Sequence, residues 1–152
     1  MIILDTQYVS QLQRERSRDA TKIEAWLTTI ASDVFWITVI TPYEQLRSAL
    51  GLINSAKSAD DSTGPFLLFG KLLDHYSDRW GKHILPFDKH AAFVYAGFDA
   101  RLIRRIGPRD GKIAAIALSH RATLLSANLA DLRQVPGLIV EDWLRDDGPR
   151  PL

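Results

Sequence analysis

The chain opens Met1-Ile-Ile-Leu-Asp5-Thr6. An apolar run that stops at an aspartate reads as a strand over residues 2–4. A strand covered on both faces of a parallel sheet is continuously apolar rather than alternating. Ligands of open α/β sheets bind beyond the carboxyl ends of the strands, so this run delivers Asp5 to the binding edge. A carboxylate placed there pays a desolvation cost unless a partner offsets it. Capping the next helix is one use for Asp5. Holding a divalent cation with other acids is another, and the remaining acids favour it.

Downstream, Val9, Leu12, Ile23, Trp26, Leu27 and Ile30 recur at helical spacing. Val34 to Ile40 is β-branched and aromatic and reads as a second strand. Thr41-Pro-Tyr-Glu44 then reads as a helix start, with Thr41 as N-cap, Pro42 at the first helical position and Glu44 closing a capping box. Ser55 to Pro65 has the composition of a loop or helix break. Phe66 to Trp80 is amphipathic, with Phe66, Phe69, Leu72, Leu73, Tyr76 and Trp80 on one face. That face is rich in large apolar groups, which fits simple core packing and equally fits a helix that also lines a groove or subunit surface.

His83 to Phe87 reads as a short strand, and Asp88 as the cap of a helix reaching about Arg105. After the Gly107-Pro108 break, Asp110 opens a helix of small residues, Ile113-Ala-Ala-Ile-Ala-Leu118, suited to close packing on a sheet. Thr123 to Leu125 is a further strand, Asn128 to Arg133 a short helix and Gly137 to Val140 a last strand. Alternating strands and helices predict an α/β fold, a central parallel sheet of four to five strands with helices on both faces. One domain is expected over residues 1–145, followed by a frayed Pro/Gly-rich tail over 146–152.

Asp5, Glu44 and Asp110 thus fall at strand ends or helix starts on one edge. Ser126 and Asn128 follow the fourth strand to that edge, where a hydroxyl and an amide can orient water or phosphate. Asp131 lies one turn further, at a position that a helix dipole alone would also favour.

Bulk properties narrow the function classes. The 152 residues fit a single domain with a core, and 46% hydrophobic with 24% charged residues is ordinary for a folded protein. The absence of cysteine excludes disulfides and thiolate zinc sites. His75, His83, His90 and His120 show no zinc spacing. No apolar run reaches the roughly 18 residues of a membrane span, and Met1 to Leu4 lacks the basic flank and length of a signal peptide. No membrane partner is expected, and the expected location is cytoplasmic.

The net charge of +1 gives no argument for nucleic acid by itself. Its distribution offers two readings. Arg14, Arg16 and Arg18 follow the first acid, and Arg101, Arg104, Arg105 and Arg109 lead to Asp110. Solvated helix faces would look the same, as would an arginine rim that draws a phosphate backbone toward an acidic pocket.

Other chemistries fail on single residues. A haloacid-dehalogenase-like enzyme needs a second Asp two positions after the first, where Gln7 stands. A receiver domain needs a late Lys, and none follows Val140. No Gly-x-Ser-x-Gly elbow is present.

The order and spacing of these segments resemble the PIN-domain ribonucleases, specifically the VapC-type toxins of type II toxin–antitoxin pairs. The resemblance runs from Met1 to about residue 144. It is carried by Ile2-Ile-Leu-Asp5-Thr6, Thr41-Pro-Tyr-Glu44-Gln-Leu-Arg47, Ile84-Leu-Pro-Phe-Asp88, Arg109-Asp-Gly-Lys-Ile-Ala-Ala115, and Leu124-Leu-Ser-Ala-Asn128 with Val135-Pro-Gly-Leu and Glu141-Asp-Trp143.

The resemblance implies an endoribonuclease using Mg²⁺ or Mn²⁺. Asp5, Glu44 and Asp110 would be its catalytic metal ligands, Asn128 the fourth catalytic position, and Thr6, Ser126 and Asp131 would position substrate or water. Arg14, Arg16, Arg105 and Arg109 are candidates for RNA-backbone contacts. It also implies a homodimer and a cognate antitoxin. Asn128 replaces a frequent Asp, Gln7 a frequent Asn or Asp, and Tyr43 a frequent Glu. The competing reading is a PIN-like binding module with weak or no cleavage.

Overall fold

The computed structural model describes residues 1–14, 16–146 and 148. The elements run β1 (Ile2–Leu4), α1 (Thr6–Leu12), α2 (Arg18–Thr29), β2 (Phe35–Thr38), α3 (Ile40–Ser55), α4 (Ala59–His75), β3 (Ile84–Leu85), α5 (Lys89–Ala96), α6 (Ala100–Ile106), α7 (Pro108–Ser119), β4 (Thr123–Leu125), α8 (Leu129–Leu132) and β5 (Ile139–Glu141). All five strands are parallel, in the order β3-β2-β1-β4-β5. The chain builds outward from β1 in one direction and then returns to its other side. The switch point therefore lies between β1 and β4, the place where open α/β sheets bind ligands.

Short strands suffice because both faces are covered. Successive side chains of a strand point to opposite faces. Ile3 and Leu124 join one core with α5 to α8, including the fully buried Ala114, Ile116 and Ala117. Leu4, Ile37 and Leu125 join the other, with Tyr8, Val9, Ile23, Leu72 and Trp143. The small residues of α7 bring that helix close to the sheet. Gly111 lets α7 pack closely on α5 and α6: a Cβ there would stand 2.8 Å from Ile103 Cδ1 and 2.9 Å from Tyr95 Cε2.

Several element boundaries differ from the sequence reading. α3 starts at Ile40 and its N-cap, Val39, makes no side-chain capping bond. Thr41 is inside the helix and fully buried, so it does not cap. α4 starts at Ala59, capped by Ser58, and carries Pro65 within it; the loop or helix break expected over 55–65 is a short break after Ser55, and the stretch from Ala59 on is helix. The exposed setting of this stretch lets water take the backbone groups that proline leaves unpaired. α4 ends at His75, and Tyr76–Trp80 form a wider π turn. The helix expected from Asp88 to Arg105 is two, with Asp99 capping the second. Asp110 lies in the first turn of α7 rather than at its cap, which is Gly107 at φ +86°.

Of the expected tail over 146–152, only Asp146 and Gly148 are described. Their amides bond the carbonyls of Asp142 and Trp143 at 3.0 and 2.9 Å, and the other tail positions lie outside the described residues. Among the described residues no helix is long and apolar enough to cross a membrane.

Candidate active site

Asp5 leaves β1 with its amide still bonded to Leu125 O at 3.1 Å, which fixes the backbone to the switch point. Its carboxylate also caps α1, accepting from Tyr8 N at 2.9 Å. Capping and exposure to the cavity are therefore compatible. Ser126, fully buried at the end of β4, hydrogen-bonds the same carboxylate and accepts from Asn128 N at 3.1 Å. Burial pushes the Asp5 carboxyl up to about 6, against the lowering effect of Ser126 and Tyr8, and the negative charge of Asp110 adds to the rise.

Asp110 enters from the first turn of α7. Asn128 Nδ2 donates to its Oδ2 at 3.1 Å. Burial also raises this carboxyl, and Glu44 and Asp131 push in the same direction, while Asn128 and Arg109 oppose them. The acids thus feel one another across the cavity.

Glu44 comes from α3 and is held differently. Thr6 Oγ1 donates to its Oε2 at 2.7 Å. Thr6 in turn meets Thr41 Oγ1 at 3.1 Å. Arg109 NH1 lies 2.6 Å from Glu44 Oε1, a charge contact outside hydrogen-bond alignment. Glu44 is 10% exposed against 68% for Arg109, so the arginine closes over the acid from the solvent side.

Asp5, Thr6, Glu44, Asp110 and Asn128 line one open cavity of about 420 Å³, with Arg14 and Arg109 on its wall. The structure does not bring all the expected residues there. Asp131 is on α8 and pairs with Arg105 at 3.2 Å; neither lines the cavity. Arg16 is exposed at φ +64° and also lies off it.

Sequence reasoning passed over Ser10 and Gln11, which line the wall one turn along α1. It also passed over Gln45, which binds Ser10 Oγ at 3.0 Å, Gln13 at 2.8 Å and Tyr76 Oη at 2.5 Å and so ties α1, α3 and the π turn together. The spacing of Thr6 and Ser10 on one helix face was the available signal. The partners of Gln45 lie 31 to 35 residues away, and nothing local announces them.

The donor chemistry fits a hard divalent cation. Every candidate ligand is an oxygen donor, and the negative charge of Asp110 raises the Asp5 carboxyl. Among the described residues no three acidic or histidine side chains stand close enough to hold one ion together. Mg²⁺ does not need such a cage, because it keeps several waters and is commonly held through one or two carboxylates.

No family model matches the chain. Over 63 residues it is 33% identical to the tRNA(fMet)-specific endonuclease VapC of Salmonella typhimurium, covering 40% of this chain and 48% of that protein. Over 63 residues it is 32% identical to ribonuclease VapC2 of Rickettsia felis, covering 40% of this chain and 47% of that protein. The chain spans about half the length of the curated relatives it matches.

The fold likeness is longer. VapBC2 from Rickettsia felis, bound to a promoter DNA fragment, aligns with TM-score 0.67 and 22% identity over 94% of this chain and 99% of that chain. DNA-bound VapBC from Salmonella typhimurium gives 0.68 and 23% over 93% and 97%. FitAcB from Neisseria gonorrhoeae gives 0.66 and 23% over 93% and 97%. The fold is therefore PIN-like, and in sequence and in architecture the chain resembles the VapC-type proteins.

Proposed function

We propose that this chain is a divalent-metal-dependent endoribonuclease of the VapC type. The observation that carries the reading is the meeting of Asp5 and Asp110 at the β1/β4 switch point, two carboxylates whose burial and mutual repulsion are relieved by an external cation. Asp5 and Asp110 would hold Mg²⁺ or Mn²⁺, with Glu44 as a third ligand once Arg109 releases it. When bound, such an ion lowers the pKa of water and neutralises charge on a phosphodiester under in-line attack.

The chain's own residues supply the positioning. Asn128 fixes the Asp110 carboxylate by donating to Oδ2, and Ser126 fixes Asp5. Thr6 holds Glu44 toward the cavity. Arg14 and Arg109 give the wall positive charge for the flanking phosphates.

The resemblance to VapBC complexes supports a cognate antitoxin as partner, and a homodimer is part of the same reading. The exposed Phe66, Leu67, Leu68 and Leu73 of α4 offer apolar surface for one or the other. The nuclease unit comprises residues 1–145, and its place of action is the cytoplasm.

The second reading is a binding module without cleavage. Its specific support is the Arg109–Glu44 contact, which places a cation of the chain itself on one candidate ligand. The test is cleavage of a mixed RNA substrate with Mg²⁺, with Mn²⁺ and with chelator, beside Asp5→Asn. Metal-dependent cutting that Asp5→Asn abolishes supports the enzyme. No cutting under any divalent ion supports the module.

A further inference from the structure

A second cavity of about 430 Å³ adjoins the first, and Glu44 and Arg109 line both. Its walls are two helix faces. On α3, Tyr43 and Arg47 are four residues apart, as are Glu44 and Ser48, and residues at that spacing share a face. On α7, Arg109 and Lys112 are three apart and face them. Tyr43 is 54% exposed and lines this cleft, so part of its ring is open to a ligand there.

Arg47 makes no ion pair among the described residues. Lys112 holds its ammonium 5.8 Å from the Phe87 ring, leaving its hydrogen-bond donors open. The cleft therefore combines one open aromatic face with positive charge on both walls, beside the acids.

We propose that this cleft is a subsite for single-stranded RNA, taking the nucleotide next to the scissile phosphate. This rests on the ribonuclease reading of the neighbouring acids. The base stacks on Tyr43, and the phosphates on either side of that nucleotide meet Arg47 and Lys112. Stacking platforms flanked by cations are how proteins hold single strands, whose unstacked bases present a free π-face. A duplex keeps its bases stacked inside and offers Tyr43 nothing. Arg109, standing at the junction of the two cavities, lies where the strand would pass from the subsite to the acids.

The experiment is fluorescence anisotropy with a short fluorescein-labelled single-stranded oligoribonucleotide, in chelator so that nothing is cut. Circular dichroism checks that each variant is folded. Tyr43→Ala should weaken binding about tenfold, and Tyr43→Phe, which keeps the ring, should stay near wild type. The double change Arg47→Gln, Lys112→Gln should reduce the slope of log affinity against log salt by about 1.4, since each phosphate contact on a single strand contributes about 0.7.

Unchanged affinity in folded Tyr43→Ala, or equal affinity for a duplex of the same sequence, overturns the subsite. Cleavage by the wild type with Mg²⁺ or Mn²⁺ is read in parallel. A wild type that cuts RNA while Tyr43→Ala binds like wild type removes the subsite and leaves the nuclease reading standing. Tyr43-dependent binding by a wild type that never cuts supports single-strand binding in the cleft but overturns its placement beside a scissile phosphate, together with the nuclease reading.

Discussion

Asp5 and Glu44 follow neighbouring parallel strands, yet their charges are balanced in opposite ways. Glu44 accepts from Thr6 on one oxygen and faces the Arg109 guanidinium on the other. Asp5 accepts from neutral donors, the Tyr8 and Gln7 amides and Ser126, and has another acid, Asp110, across the cavity. The Glu44 side carries a direct ion pair, whereas among the described residues Asp5 and Asp110 make none; both are raised by burial, with Arg109 easing only Asp110. On the proposed metal-dependent reading, a cavity built this way would exert its strongest pull on a cation from the Asp5–Asp110 side.

The largest expected effect lies on the Asp5–Asp110 side. Asp5→Asn and Asp110→Asn should each lower RNA cleavage by more than about a hundredfold, as loss of a charge at a reacting phosphate does. Initial rates on a labelled oligonucleotide, with circular dichroism to confirm folding, give the answer. Near wild-type rates in either variant would break the comparison at its root.

The next effect is on packing. Gly111→Ala puts a methyl group into Ile103 and Tyr95 and should cost about 1–3 kcal/mol in urea unfolding, with cleavage falling as Asp110 shifts. A neutral result would mean that α7 can move without disturbing the acids.

The third effect is pH dependence. In the folded metal-free protein Asp5 titrates at about 6, against the ordinary 3.8 of the unfolded chain. Between those values the folded state holds the proton more tightly, so its stability falls as pH rises from about 4 to above 6. The loss at Asp5 should be on the order of 1–2 kcal/mol, below the roughly 3 kcal/mol of the full shift because the carboxylate is partly open to solvent. Asp110, also raised, adds in the same direction. Urea melts across that range should show the decline in wild type, a shallower one in Asp5→Asn, and recovery when Mg²⁺ is added.

The smallest effect is the charge at the fourth position. Asn128→Asp adds a carboxylate to the Asp5–Asp110 side and should tighten Mn²⁺ by up to about tenfold, equivalent to about 1.4 kcal/mol. It also removes the donor to Asp110 Oδ2, so an unchanged affinity would mean that the lost hydrogen bond cancels the added charge.

What could be read from the sequence follows from the range of the interactions involved. β1 ending at Asp5 was legible because a doubly covered strand has to be continuously apolar. α7 was legible because only small residues let a helix settle so close to a sheet, although Asp110 fell a turn inside its cap. α4 was not, because Ser58 to Pro65 has the composition of a loop and its helical state depends on packing against α3 and on exposure that tolerates Pro65. At the site, the acids were placed on the right edge by topology. Their partners were not foreseen: Thr6 reaches Glu44 across 38 positions and Asn128 reaches Asp110 across 18. Asp131 was expected to position substrate or water because the resemblance implies it; it pairs with Arg105 and lies off the cavity lining, although its charge still raises Asp110.

The central claim is that the Asp5 side holds the cation and the Glu44 side assists. Calorimetric titration of Mn²⁺ into wild type, Asp5→Asn and Glu44→Gln at pH 7.5 tests it without reference to cleavage. The account predicts one weak site in wild type, loss of that site in Asp5→Asn, and a smaller decrease in Glu44→Gln. Mn²⁺ binding as tightly to Asp5→Asn as to wild type would contradict it.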